Sequence, residues 1–342
     1  MPINRVKHSL HLQAKTNRRV SHNIARLWEI GAQAHSQQDI LDALHPWQAP
    51  IRLKFSNHLA LFLAAIGLFF VVLIIINPAN IWAQSSLFIG VFILFWAYIA
   101  YEEQKPITEV IQYLEQQTIA KKYQLALHQQ PRHVSIPLQP LLMIAHLKQL
   151  FPVFNQGSLA NDLPYYASTV WRDEHGTQHQ VMVFQYRYVN EVRMRDKNGN
   201  NIKVKEVHKD LWGVFVFDVD IQGLAVTTAH KSFHAPYTQP WQTSDIQINQ
   251  KLNIFGSDEM NTAKLLSPAF VLKLADFFAQ RQGDLIFHPS RHILCFLGSA
   301  DLFKISSRAK NIEDISALRG HLRTFKLPYL ESLQRDLTQF LK

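Results

Sequence analysis

The chain has 342 residues, 47% of them hydrophobic, with a formal charge of +9, a mean hydropathy of -0.08 and one cysteine. A single thiol, Cys295, excludes a disulfide within the chain and agrees with a reducing compartment. The length gives room for a membrane hairpin and one sizeable globular domain. The basic balance does not select nucleic acid, because excess Lys and Arg beside membrane spans accounts for it more directly.

In chain order, residues 1–56 form a basic helical segment with eight Lys or Arg against Glu29, Asp39 and Asp42. Val20, Ile24, Leu27 and Trp28 recur at helical spacing among Arg18, Arg19 and Arg26, which predicts a basic amphipathic helix. Such a helix either lies on anionic lipid or packs on the soluble part of the chain. A second short helix is predicted at Gln37–Leu44, before Pro46 and Pro50.

Leu59–Ile76 is an unbroken apolar run of eighteen residues, and Leu87–Tyr101 is a second of fifteen that extends back through Ile81–Ser86. A helix needs ~20 mostly apolar residues to cross the hydrocarbon core of a bilayer. Residues 57–104 are therefore predicted to be a two-helix transmembrane hairpin, with spans over 58–76 and 82–101. The connecting loop carries no charge, whereas Lys and Arg flank both outer ends. This asymmetry places both termini on the cytoplasmic side and only the short loop outside. Trp82 suits the outer interface, and Trp96, Tyr98 and Tyr101 the inner one. Neither run holds an ionisable residue, which argues against an ion path.

Residues 105–342 are predicted to be a cytoplasmic mixed α+β domain with a largely antiparallel sheet. Ile107, Val110, Ile111 and Leu114 mark a helix face, and Leu141–Phe151 reads as another helix. Strands are predicted at Tyr165–Arg172, Gln180–Arg195, Ile202–His208, Trp212–Asp220, Gly223–Thr228, Asp284–His288 and His292–Leu297. The run from Gly213 to Phe217 suits a central strand buried on both faces. Ser257 or Asp258 caps a helix, Pro268 opens one that reaches Gln280, and the chain is helical from Ile312 with a break at Pro328. Strands in a block followed by helices give the α+β class.

Two groups are candidate sites. Val192 and Met194 alternate with Arg193 and Arg195, and Ile202 and Val204 with Lys203 and Lys205. If the apolar faces match, Met194 opposes Val204 across a loop at Asn198-Gly199-Asn200. That register sets Arg195 against Lys203 and Arg193 against Lys205. Directly opposed like charges are destabilising, so an anionic lipid headgroup is a candidate partner; nearby Glu191, Asp196, Glu206 and Asp210 offer an internal alternative. Asp218 and Asp220, on one face of a strand, are candidate metal ligands or an acid/base pair. No Walker loop, GxGxxG, HExxH or nucleophile elbow is present. No cofactor is implied, and an enzyme is not the favoured reading.

The stretch Leu252–Pro268, with Ser257, Asp258, Ala263, Leu266 and Pro268, resembles an uncharacterised bacterial domain-of-unknown-function family of two-span membrane proteins. Trp212–Asp220 is similar to that family's Gly-Leu-Phe-rich strand, Asp284–His288 and Ile293–Leu297 to its closing strand pair, and Asp301–Phe303 to the turn after it. The likeness runs over roughly residues 105–340. The chain departs at its ending, Gln339-Phe-Leu-Lys342, and at several charged positions near the Ser-Asp element. The resemblance implies a basic helical start, a hairpin and a cytoplasmic α+β domain, and no reaction, ligand or residue role. The expected function is a membrane-anchored binding or scaffolding module that engages a protein or anionic lipid. A membrane-bound metal enzyme at Asp218 and Asp220, or an accessory subunit of a larger membrane complex, are the alternatives.

Overall fold

The structure, a computed structural model, describes residues 15–48, 51–76, 81–131, 143–195, 202–306 and 312–341. Its elements, in chain order, are α1 Lys15–Gln33, α2 Gln37–Ala43, α3 His58–Ile76, α4 Ile81–Ala100, α5 Lys105–Lys122, β1 Ala126–Leu127, α6 Met143–Leu150, β2 Ala160–Arg172, β3 Gln178–Arg195, β4 Ile202–Phe217 and β5 Leu224–Thr227. There follow β6 Gln239–Trp241, α7 Ile246–Lys251, β7 Asn253–Gly256, α8 Glu259–Leu265, α9 Pro268–Ala279, β8 Gly283–Phe287, β9 Ile293–Gly298, α10 Ile315–Thr324 and α11 Pro328–Leu337. The fold is mixed α+β with a large antiparallel sheet. It divides into two compact units that do not follow chain order: residues 1–122 with 307–325, and residues 123–306 with 326–342.

The first unit is helical. Val20, Ile24 and Leu27 of α1 lie one turn apart and are buried against Val110 and Leu114 of α5, Ile40 and Leu41 of α2, and Leu318 and Leu322 of α10. Each such side chain stabilises by about 1.5–3 kcal/mol relative to leaving it in water. The apolar stripe of α1 is thus spent on a protein core. Ser36 and Asp39 form a reciprocal capping box at the start of α2, and the Asp314 carboxylate accepts from Ala317 N at 2.7 Å to open α10. The sequence from Ile51 to Leu53 joins α10 through Ile315 N to Ile51 O and Leu53 N to Glu313 O.

From this unit rises the hairpin of α3 and α4. Helix α4 begins at Ile81, as the extension through Ile81–Ser86 predicts. The helices meet at two glycines. A Cβ on Gly90 would stand 2.9 Å from Gly67 O, and one on Gly67 3.0 Å from Gly90 O. Small residues at a crossing allow this backbone approach. The hairpin turns large apolar side chains outward on both helices, among them Phe62, Leu68 and Phe69 and Phe88, Phe92 and Phe95. By length and composition, one helix among the described residues, in the stretch that starts at Leu87, is long and apolar enough to cross a membrane; the apolar helix from His58 is shorter.

The second unit is built on a nine-stranded sheet in the order β1-β2-β3-β4-β9-β8-β5-β7-β6, antiparallel throughout. The two strands predicted at Ile202–His208 and Trp212–Asp220 are one strand, β4. Its polar middle does not break it, because Asp210 lies opposite Arg187 in the β3 ladder and accepts from its Nε at 2.7 Å. Leu285–Phe287 and Ile293–Leu297 are buried throughout, as is Val214–Phe217. These runs are covered on both faces. On one face lie Phe151 and Phe154 with Met143 and Leu147 of α6; on the other, α9 sets Phe277 edge-on to Phe296 at 5.3 Å. The sequence from Gly256 to Thr262 is a strand-to-helix turn. Asp258 caps α8 through Asn261 N at 2.8 Å, and Ser257 N donates to Gly223 O. Ser267 and Pro268 open α9.

Candidate membrane-interface site

Where the hairpin joins the first unit, three side-chain amides act as backbone mimics. Asn17 of α1 donates to Ser56 O at 3.2 Å and accepts from Ser56 N at 2.9 Å. Asn57 donates to Glu102 O and accepts from Glu102 N, at 2.9 and 3.0 Å. Gln104 donates to Phe55 O and accepts from Phe55 N, both at 3.2 Å. Helix ends leave backbone groups without intrahelical partners, and these amides pair the chain just before α3 and just after α4. Together they tie both feet of the hairpin, and the first turn of α1, into one structure. Farther along, Asn23 Nδ2 donates to Arg52 O at 3.2 Å. Helix α1 therefore runs antiparallel to residues 52–56, with its Lys15 end at the foot of the hairpin. Amide pairs of this kind carry no hydrophobic period, so pattern reading does not find them.

The β3–β4 register corrects the predicted charge layout. Arg193 lies opposite Val204, Met194 opposite Lys203, Arg195 opposite Ile202 and Val192 opposite Lys205. No two of these cations directly oppose each other. The register is set in the buried half of the ladder, where Met182 pairs with Phe215 and Phe184 with Gly213, and it continues without a bulge to the tip. Matching apolar faces at the tip alone is offset from this register by one residue, which reverses every face. The like pair that does occur is Glu191 opposite Glu206, with Glu206 Oε2 3.7 Å from His208 Nε2. The side chains of Arg193, Arg195 and Lys203, and the predicted loop Asn198-Gly199-Asn200, lie outside the described residues, while Lys205 is exposed.

Asp218 and Asp220 also move. Strand β4 ends at Phe217, and Asp218 has a φ of +61°, a left-handed conformation that aspartate tolerates better than most residues. Neither aspartate therefore lies within a strand. Both aspartates are exposed, either side of buried Val219, whose N–H donates to His292 O. Among the described residues, no three His, Cys, Asp or Glu side chains group to hold a metal ion. Cys295 is fully buried, and burial pushes its thiol well up, so it is a packing residue. His288 anchors a turn: its Nδ1 accepts from Ser290 N and Arg291 N, and burial pushes its pKa down.

One polar group stands out that sequence reading places merely at a strand start. Asp284 of β8 is 6% exposed, faces Thr227 across the ladder, and has Oδ2 3.6 Å from His230 Nε2. Its Oδ1 has no hydrogen-bond partner among the described residues. Burial raises its pKa, against the opposing pull of Thr227 and His230. A carboxyl whose folded pKa is raised stabilises the fold fully below its unfolded value, near 3.8, and that contribution is lost as pH rises through the folded pKa. Asp284→Asn is therefore expected to be more stable than the parent at neutral pH, with the gain shrinking as pH falls to the ordinary aspartate range. Thermal melts across that range check it; a difference that does not vary with pH would contradict the assignment. The second unit also has a cavity of about 880 Å³ bordered by Arg281, Phe296 and Tyr329. Two cations, Arg281 and Lys304, line it, and Arg281 is engaged: its Nη2 donates to both Asp336 and Ser332 at 2.5 Å.

No family model, curated protein or solved structure matches this chain. The family likeness over roughly residues 105–340 therefore rests on its sequence motifs alone.

Proposed function

We propose that the chain is a two-span protein of the bacterial inner membrane, with both termini cytoplasmic, and that it holds an α+β binding or scaffolding module at the cytoplasmic face. The observation that carries this reading is the outward apolar surface of α3 and α4. Phe88 is 78% exposed, Ile76 67% and Phe62 63%, and no charged residue interrupts either helix. Exposed apolar patches of this extent mark interaction or membrane surfaces. Water would not tolerate them, whereas the hydrocarbon core needs only that backbone polar groups be satisfied within the helices. The amides at the foot of the hairpin support the same reading, since they pair backbone where the helices end. The sheet unit supports a binding role more than a chemical one, because its sharpest polar group, Asp284, is sealed inside. The module's partner is a protein or the bilayer itself.

The test is fractionation and topology. The protein is expected to stay with membranes through alkaline carbonate and to need detergent for extraction. Green fluorescent protein fused at either end is expected to fluoresce, and alkaline phosphatase at the same positions to be inactive. Release without detergent, or an end accessible from outside the cell, would overturn the proposal.

A further inference from the structure

The buried stripe of α1 runs through Asn17, Val20, Ile24, Leu27 and Gly31. On the opposite side, Lys15, Arg18, Arg19 and His22 are spaced by three, four and seven residues, so they share one helix face, and all four are exposed. The only acid on α1, Glu29, sits at its other end. Arg26, farther from the hairpin, lies over the Trp47 ring at 4.2 Å. The charge of α1 is therefore concentrated at the end that Asn17 ties to Ser56, two residues before α3 begins.

We propose that Lys15, Arg18, Arg19 and His22 form a binding surface for the phosphates of anionic phospholipids at the foot of the hairpin. The inference rests on the membrane reading above and names the bilayer chemistry that the anchored unit engages. Packing decides the role of α1: its apolar side is committed to the protein core, so it does not sink into the bilayer, and its basic side is held at headgroup level. The membrane contact is thus assigned to this helix rather than to the β3–β4 tip, whose cations no longer oppose one another. The fit is one of charge: a cationic face at the edge of a surface that carries negative lipid. Each basic residue near such a surface strengthens binding roughly fivefold, and salt weakens the effect.

The full-length protein is reconstituted in nanodiscs of phosphatidylcholine mixed with phosphatidylglycerol, and retained lipid is read by native mass spectrometry. The triple variant Lys15→Gln/Arg18→Gln/Arg19→Gln is compared with Lys209→Gln/Lys251→Gln/Lys264→Gln, which removes the same charge from exposed positions of the sheet unit. The α1 variant is expected to lose its preference for phosphatidylglycerol, and the sheet-unit variant to keep it. Equal losses, or no loss in either, would overturn the proposal. Should the α1 triple variant fold poorly, Arg19→Gln alone is expected to lower the preference roughly fivefold, and an unchanged preference counts against the site. If the parent protein does not enter nanodiscs at all, the membrane anchor itself falls, and this site with it.

Discussion

Phe215→Ala is expected to lower the stability of the sheet unit by about 3–5 kcal/mol, the usual cost of emptying a buried phenylalanine site. Phe215 is 2% exposed. Its ring stacks on Phe184 with centroids 4.5 Å apart, on Phe151 at 5.5 Å, and tilts against Phe154 at 5.8 Å. Aromatic pairs add about 0.5–1.5 kcal/mol beyond the area they bury, so one truncation loosens three partners from two layers. The neighbouring Gly213 explains why Phe184 can lie so close: a Cβ there would strike the Phe184 ring and the backbone oxygen of Phe296. The Tyr186 hydroxyl fixes the other end of the layer, donating to Phe154 O at 3.0 Å. Thermal or urea unfolding of the detergent-solubilised protein measures the change. The control is Leu272→Ala on the exposed side of α9, expected to fall within about 0.5 kcal/mol of the parent. If Phe215→Ala costs no more than that control, the aromatic layer is not the centre of the core.

Gly90→Leu is expected to force α3 and α4 apart. The new side chain would begin 2.9 Å from Gly67 O, 3.0 Å from Val71 Cγ2 and 3.1 Å from Phe70 Cβ, and two of these three neighbours cannot rotate away. Overpacking costs about 1–3 kcal/mol when the surroundings can adjust, and here the nearest obstacle is backbone. The outward-facing Phe88→Leu is expected to be neutral in a membrane or in detergent, since it exchanges one lipid-like surface for another. Melting temperature and monodispersity on size exclusion distinguish the two variants. Equal behaviour would mean that the glycine crossing does not hold the hairpin together.

Periodicity located the long elements, but it did not find the short β1, α7, β6 and β7. The apolar runs Leu59–Ile76 and Leu87–Tyr101 are helices because eighteen and fifteen residues exceed strand length, and a helix pairs its backbone within itself. The α1 face Val20, Ile24 and Leu27 follows from a local rule, that residues at 3.6-residue spacing bury one side; the Pro268 helix start follows from the fixed φ of proline, and the continuous apolar runs around Val214 and Leu294 mark strands covered on both faces. Three things required the fold. The offset of β3 against β4 is set by Phe184 and Phe215 far from the charged tip, so cations that face each other when the tip is read alone come to lie beside Val204 and Ile202. The strand carrying Asp218 ends early because a left-handed turn closes it, and single backbone angles leave no periodic trace. The burial of Asp284, the pairing of Asn17 with Ser56, and the meeting of Gly67 with Gly90 all join residues distant in sequence. Each is decided by which surfaces pack together, a property of the whole chain that no local window holds.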